Sequence, residues 1–240
     1  GFNINEGCGA VHPDVMAAAV VAHGADVGIA LDGDADRLIV ADETGRIING
    51  DQLLACLAGT MHDEGSLRGG GVVGTVMTNG GIETCLADKG LKLHRARVGD
   101  RYVLEMMRAG GMNLGGESSG HILMTSLCPS GDGLIAALQM LHILSRATKP
   151  ASETFHMFAP KCQRLENLRD MDGAILERQM IRDALARIET NMGNAGRILV
   201  RPSGTEPLVR VMVEADTEEL LQSKMDEIIL LLQDESKKIA

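Results

Sequence analysis

At 240 residues the chain is long enough for one large domain or two or three smaller ones, and its 45% hydrophobic residues are enough to fill real cores. A formal net charge of −10 argues against a general nucleic-acid surface, which needs clustered cations, and one tyrosine, three phenylalanines and no tryptophan leave no platform for stacked bases. Five scattered cysteines without a C-x-x-C pair favour reduced thiols in the cytoplasm over a disulfide framework or zinc site, and no apolar run approaches a membrane span.

In chain order, residues 1–12 read as a polar loop, with no signal peptide visible, although Gly1-Phe2 lacks a methionine. Pro13-Asp14 opens a helix that runs to about His23 and ends at Gly24. Two short apolar runs, 27–31 and 37–41, read as buried strands, and Glu43-Thr-Gly45 turns the second into a strand over 46–48. So little surrounds these elements that the chain is expected to begin partway through a domain. Asp51 is the expected N-cap of a helix to about His62. Strands are expected over 72–77, 91–95 and Met112-Asn-Leu114, with helices over 80–88 and 100–108. The 133–146 segment reads as a helix with Leu134, Leu138, Leu141 and Ile143 inward. Such alternation points to a mostly parallel sheet covered by helices. Lys149 to Pro160 reads as a linker. Beyond it, strands near 162–168, 197–201 and 208–214 alternate with helices over about 173–189 and near the C-terminus, the ingredients of a small α+β domain. Ile175, Met180, Ile181, Leu185 and Ile188 mark the first helix's apolar face, and Leu221, Met225, Ile228, Ile229 and Leu232 mark the second's.

Four stretches carry chemistry. Between the first two strands, Asp32, Asp34 and Asp36 fall at alternate positions before Arg37. Three carboxylates so spaced repel one another unless a hard divalent cation joins them. An EF-hand is excluded, because Arg37 stands where that loop needs glycine and a strand follows where it needs a helix. Asp32 as a phosphohydrolase nucleophile after a buried strand stays open. Arg95, Arg97 and Arg101 crowd a helix start and suit an anion, or form a solvated turn capped by Asp100. Gly115-Gly-Glu117-Ser118-Ser119-Gly120-His121 offers a carboxylate, hydroxyls and an imidazole suited to sugar hydroxyls, or forms a polar hairpin turn. Arg201-Pro-Ser203-Gly204-Thr205-Glu206-Pro207, with Arg210, has the makings of a phosphate cradle, or of a charged β-turn. It lacks the spacing of a Walker loop.

Five segments, Asp32-Gly-Asp-Ala-Asp-Arg37, Val98-Gly-Asp-Arg-Tyr-Val-Leu-Glu105, Gly116-Glu-Ser-Ser-Gly-His121, Ser130-Gly-Asp-Gly133 and Arg201-Pro-Ser-Gly-Thr-Glu-Pro-Leu-Val-Arg210, together resemble the α-D-phosphohexomutase superfamily, in its order and over essentially the whole chain. The Val-Gly-Asp-Arg-Tyr-Val segment favours its glucosamine branch. The resemblance implies an α/β protein with the end of the metal-binding second domain at 1–49. A three-layer α/β/α sugar-binding third domain with a mixed sheet would occupy 50–158, and an α+β phosphate-binding fourth domain 159–240. It implies Mg²⁺ on Asp32, Asp34 and Asp36, catalytic roles for Arg37 and His121, and sugar contacts from Glu117 and Ser119. Arg97, Gly99, Asp100 and Arg101 would also bind substrate, and Arg201, Ser203, Gly204, Thr205 and Arg210 would hold the phosphate not in transfer. The implied reaction interconverts glucosamine 6-phosphate and glucosamine 1-phosphate through a bisphosphorylated sugar, feeding UDP-N-acetylglucosamine and cell-wall synthesis. Ser118 stands where relatives commonly have glutamine, and Arg97 where lysine is common. The family's phosphorylated serine, in a Ser-His-Asn-Pro context, has no counterpart in the sequence, so these residues are expected to be inactive alone. The expected partners are a phosphosugar and, for a full-length protein, a second copy, with no nucleic acid and no membrane. The rival readings are a phosphomannomutase or phosphoglucomutase, a phosphohydrolase, and a non-catalytic phosphosugar-binding module.

Overall fold

Two compact units, Gly1–Ala159 and Pro160–Ala240, make up the computed structural model, which describes residues 2–203 and 206–237. In the first unit, helix α1 (Asp14–His23) stops at Gly24, whose left-handed backbone (φ 62°) terminates the helix as glycine allows. Strands β1 (Val27–Leu31), β2 (Leu38–Asp42) and β3 (Ile47–Ile48) form an antiparallel sheet in that order. Pleating divides β2 between two cores. Leu38 and Val40 join the main core, and Ala41 meets Ala17 and Val20 of α1.

Helix α2 (Gly50–Asp63) is buried on nearly every side because it lies inside the unit, against the sheet and other helices. Its Cys56 is 3% exposed, and burial pushes that thiol up to about 12. The four-stranded sheet runs β5-β4-β6-β7, with β4 (Gly71–Thr75) parallel to β5 (Lys92–Ala96) and β6 (Leu114–Gly116), and β7 (Ile122–Met124) antiparallel to β6. Val72, Leu114, Ile122 and Met124 face a core shared with α2, α3 (Gly81–Ala87) and α5 (Gly133–Arg146). Val73 and Leu123 face α4 (Asp100–Gly110), giving three layers.

Four expectations need correction. Asn49, not Asp51, caps α2: its side chain accepts from the Gln52 amide, and Asp51 is a buried first-turn residue. The strand expected at Met112 starts at Leu114, so Gly115 and Gly116 are sheet residues and the loop is shorter. Leu134, Leu138 and Leu141 of α5 point outward, because Ala136, Ala137 and Met140 form the inner face and small residues let helices approach closely. Finally, the segment from Lys149 is no free linker. It forms helix α6 (Ala151–Thr154) and buries Phe155 in the main core. Ser152 donates to Glu43, His156 Nε2 lies 3.2 Å from Asp42, and Gln52 exchanges bonds of 2.8 and 2.9 Å with the backbone of Met157 and Phe158.

In the second unit β10 (Leu208–Ala215) lies between β8 (Cys162–Arg169) and β9 (Gly196–Pro202), all antiparallel. Val209, Val211 and Val213 pack beneath α7 (Gln179–Met192) and α8 (Glu218–Lys237). A 3₁₀ turn over Gly173–Glu177 precedes α7, which leaves Ile175, Ile181 and Ile188 inward but Met180 half exposed. Among the described residues no helix is long and apolar enough to cross a membrane.

Asp42 is fully buried and binds the turn back to its strand, accepting from Thr44 N at 2.9 Å, Thr44 Oγ1 at 2.6 Å and Arg46 N at 3.0 Å. Burial alone would raise its pKa, but the Thr44, Arg46 and His156 hydrogen bonds outweigh it and hold the carboxyl below its ordinary 3.8. Folding therefore favours the ionised form; its contribution is full above 3.8 and is lost as pH falls through the folded value. Asp42→Asn is expected to cost about 1–3 kcal/mol near neutrality. In thermal melts at stepped pH, the gap between variant and wild type should close in acid below that value.

Candidate functional site

The acidic loop leaves β1 at Leu31 and rejoins the sheet at Leu38. Ala35 adopts φ 59°, a left-handed residue that bends the loop sharply. Asp32, Asp34 and Asp36 each present a carboxylate oxygen within 4.8 Å of the others. Arg37 closes the loop: its amide donates to Asp32 Oδ1 at 3.1 Å, and its Nε lies 3.5 Å from Asp32 and 3.9 Å from Asp36. One guanidinium against three carboxylates leaves the cluster two charges short of neutral. Asp36 Oδ1 is buried without a hydrogen-bond partner among the described residues. Burial, with the neighbouring Asp32 and Asp34 charges, pushes the Asp36 carboxyl up against the opposing pull of His121. Converging oxygens, an orphaned acceptor and an unneutralised charge fit a divalent cation of the oxygen-binding kind.

The loop after β6 lies against this one. Arg37 and His121 form a backbone bridge, and the Leu38 amide donates to the Gly120 carbonyl at 3.0 Å. His121 Nδ1 reaches Asp36 Oδ2 at 3.1 Å. Glu117 is aimed from the other side, its Oε1 accepting from the Gly99 amide at 2.8 Å, and Ser119 is exposed 3.5 Å from its Oε2. The α4 start therefore already meets a protein carboxylate, and of the arginines near it only Arg97 and Arg101 face outward. Arg97 stacks 4.4 Å from the Tyr102 ring centroid, and Arg101 pairs with Glu105 at 2.9 Å. Arg95 turns back to Glu83 and to the Thr75 and Thr78 carbonyls as a structural tie. Asp100 does not cap the helix; its Oδ1 accepts from the Arg101 amide.

Asp51 escaped functional notice in the sequence. Buried in α2, it accepts from the Asn79 amide at 3.0 Å, and Ser118 Oγ lies 3.0 Å from both its oxygens. It thus anchors the Glu117 loop through the Ser118 hydroxyl. An acid among the apolar residues of a helix was the available signal, and capping explained it away.

In the second unit Arg201 on β9 stands directly opposite Arg210 on β10. Like charges paired across a sheet are unfavourable without a shared anion. Burial, then the Arg210 charge, holds the Arg201 guanidinium below its ordinary range. Arg210 Nε and Ser203 Oγ are buried without partners among the described residues, and Glu206 is the nearest carboxylate to Arg210, at 3.9 Å. Two unfilled polar groups beside two cations suit a phosphate group. Gly204 and Thr205 lie outside the described residues.

Two family models match most of the chain. The model described as "Phosphoglucomutase/phosphomannomutase, alpha/beta/alpha domain III" matches residues 49–161, and the family's C-terminal domain model matches 162–231. The chain belongs to the phosphoglucomutase/phosphomannomutase family. Among curated relatives, phosphoglucosamine mutases from Granulibacter bethesdensis and Phenylobacterium zucineum are 52% identical over 228 residues and 50% over 229, each alignment covering 95% of this chain. The chain spans about half the length of these relatives, 50% and 51%. Its fold matches that of a Burkholderia thailandensis family protein (TM-score 0.77, 24% identity, 94% of this chain, 50% of that one). It also matches Aspergillus fumigatus N-acetylphosphoglucosamine mutase solved with GlcNAc-6P and magnesium (TM-score 0.76, 21% identity, 97% of this chain, 54% of that one).

Gly120 lets the two loops touch. Its φ is 91°, and a Cβ there would lie 2.0 Å from the Leu38 carbonyl oxygen. Gly120→Ala is expected to destabilise the chain by about 2 kcal/mol, read from urea unfolding, through backbone strain and loss of this contact.

Proposed function

We propose that these residues carry the metal, sugar and phosphate loops of a phosphoglucosamine mutase, which interconverts glucosamine 6-phosphate and glucosamine 1-phosphate through a bisphosphorylated sugar. The reading is carried by the convergent Asp32, Asp34 and Asp36 oxygens beside Arg37, in a chain about 50% identical to proteins of that name.

Asp32, Asp34 and Asp36 would hold Mg²⁺, which when bound supplies positive charge to a phosphoryl oxygen. Arg37 adds a guanidinium at the same edge, suited to a group whose charge spreads over its equatorial oxygens. Glu117, held by Gly99, accepts from sugar hydroxyls, with exposed Ser119 beside it as donor or acceptor. Arg97, Asp100 and Arg101 border the Glu117 loop and would meet other polar groups of the substrate. Arg201, Ser203 and Arg210, with Gly204 and Thr205, would grip the phosphate that is not transferred, so that remote binding energy orients the reacting end. Reversal of the bisphosphate between half-reactions then presents either phosphate to the same loop. The phosphorylated serine of this scheme is not among the 240 residues and must be supplied to them. The product would serve amino-sugar and cell-wall synthesis in the cytoplasm, a compartment in keeping with five free cysteines.

The test joins this chain to a relative's phosphoserine-bearing half and assays Mg²⁺-dependent glucosamine phosphate isomerisation. Asp34→Asn is expected to lower kcat at least about a hundredfold; unchanged activity would sink the metal assignment. Arg210→Ala should instead act mainly through KM, with kcat/KM falling about tenfold to a hundredfold, the loss of a charge-assisted contact made throughout the reaction.

A further inference from the structure

Two arginines of the second unit are fastened permanently. Arg197 lies 2.8 Å from Glu214 and Arg178 lies 2.8 Å from Glu235, and both carboxylates are buried. Arg210 is treated differently. Its Nη2 is 3.9 Å from Glu206, beyond hydrogen-bond reach, and the Glu206 side chain is 60% exposed. The turn that carries Glu206 does not depend on this contact. Its backbone closes it, with the Leu208 amide donating to the Glu206 carbonyl at 2.8 Å and the Ser203 amide to the Leu208 carbonyl at 2.9 Å. Pro207 further restricts the residue before it. The Glu206 carboxylate can therefore leave Arg210 without loosening the turn. Glu206 and Ser203 also line a cavity of about 700 Å³ with Asp170, Asp172 and Glu177, and no lysine or arginine is in that lining. Three further carboxylates on that side drive Glu206 toward Arg210.

We propose that Glu206 is a displaceable counter-ion of the phosphate cradle, a carboxylate that stands in for phosphate while the cradle is empty and yields when it fills. The proposal rests on the phosphate reading above, in which Glu206 has no part. Arg201 and Arg210 face each other across adjacent strands, so the empty cradle holds two like charges. One carboxylate at its edge offsets half of that charge, and a phosphate dianion offsets all of it. Arg210 Nε and Ser203 Oγ, buried and unpartnered among the described residues, stay open for the arriving oxygens while Glu206 meets only the outer nitrogen. An exposed ion pair this long gives way at small cost. With phosphate in place, Glu206 is a like charge beside it and weakens the grip. That serves the proposed scheme, in which the bisphosphorylated sugar reverses between half-reactions and each phosphate in turn must leave the cradle. Tighter uniform binding there would hold the intermediate without helping the chemical step.

The test is binding of inorganic phosphate to the chain, followed by titration calorimetry at low ionic strength up to tens of millimolar, with a thermal melt of each variant. Glu206→Gln and Glu206→Ala should each bind phosphate about threefold to tenfold more tightly than wild type, because the competing charge is gone. Arg210→Ala should weaken binding at least about tenfold. A residue that merely positions Arg210 would give the opposite sign at Glu206. Unchanged or weaker binding in either folded Glu206 variant, beside a loss in Arg210→Ala, would overturn the counter-ion role and leave the phosphate reading standing. No binding by wild type and both Glu206 variants, or wild-type affinity in Arg210→Ala, would overturn the phosphate reading and the counter-ion role with it.

Discussion

The first unit depends on one backbone contact: the Leu38 amide on the Gly120 carbonyl, continued by the Arg37–His121 bridge. Loops are poorly ordered by default, and a cluster of like charges is the least self-ordering of them. Here the acidic loop is sewn to neighbouring backbone on two sides, with Gly133 N donating to the Ala35 carbonyl at 2.9 Å. The Glu117 loop gains the same support through Gly50 N, which donates to the Ser118 carbonyl at 3.1 Å at the start of the buried helix α2. Each loop is thereby the other's scaffold. A rigid helix that opens against one of them transmits core stability to side chains that have none of their own.

Electrostatic need recurs in the second unit in opposite sign. Arg201 and Arg210 are placed side by side on adjacent strands, where register admits no escape for either. The first unit concentrates negative charge on a loop, and the second concentrates positive charge on a sheet. In both cases the protein holds together groups that repel, and a repulsion maintained by the fold is energy recovered when a complementary ion binds.

The chemistry was more legible in the sequence than the packing. Alternate aspartates between two apolar runs placed the acidic loop at a strand end, because strand period and charge spacing are local properties. The Arg201 and Glu117 stretches were likewise marked by composition, each beside a bland rival, and the partners that hold the Glu117 loop come from distant parts of the chain. Gly99 and Glu117 are 18 residues apart, and Asp51 and Ser118 are 67 apart. Periodicity failed on α5, where Leu134, Leu138 and Leu141 were expected inward but Ala136, Ala137 and Met140 form the buried face. It failed again after Lys149, where Pro150, Ser152 and Thr154 looked like a linker but Phe155 and His156 fasten the segment to the core and to Asp42. Hydrophobic spacing cannot say which face a helix turns when both faces carry apolar residues.

Cys56 carries a consequence of its own. A thiol reacts as thiolate, and one buried at the centre of α2 with its pKa pushed up to about 12 supplies almost none at neutral pH. Its surroundings keep reagents away as well as protons on. Modification of this sulfur therefore requires the helix to leave its place between sheet and helices, so the rate at which Cys56 is alkylated counts openings of the main core. The residue that contributes least to the chemistry of the chain is its internal clock of stability.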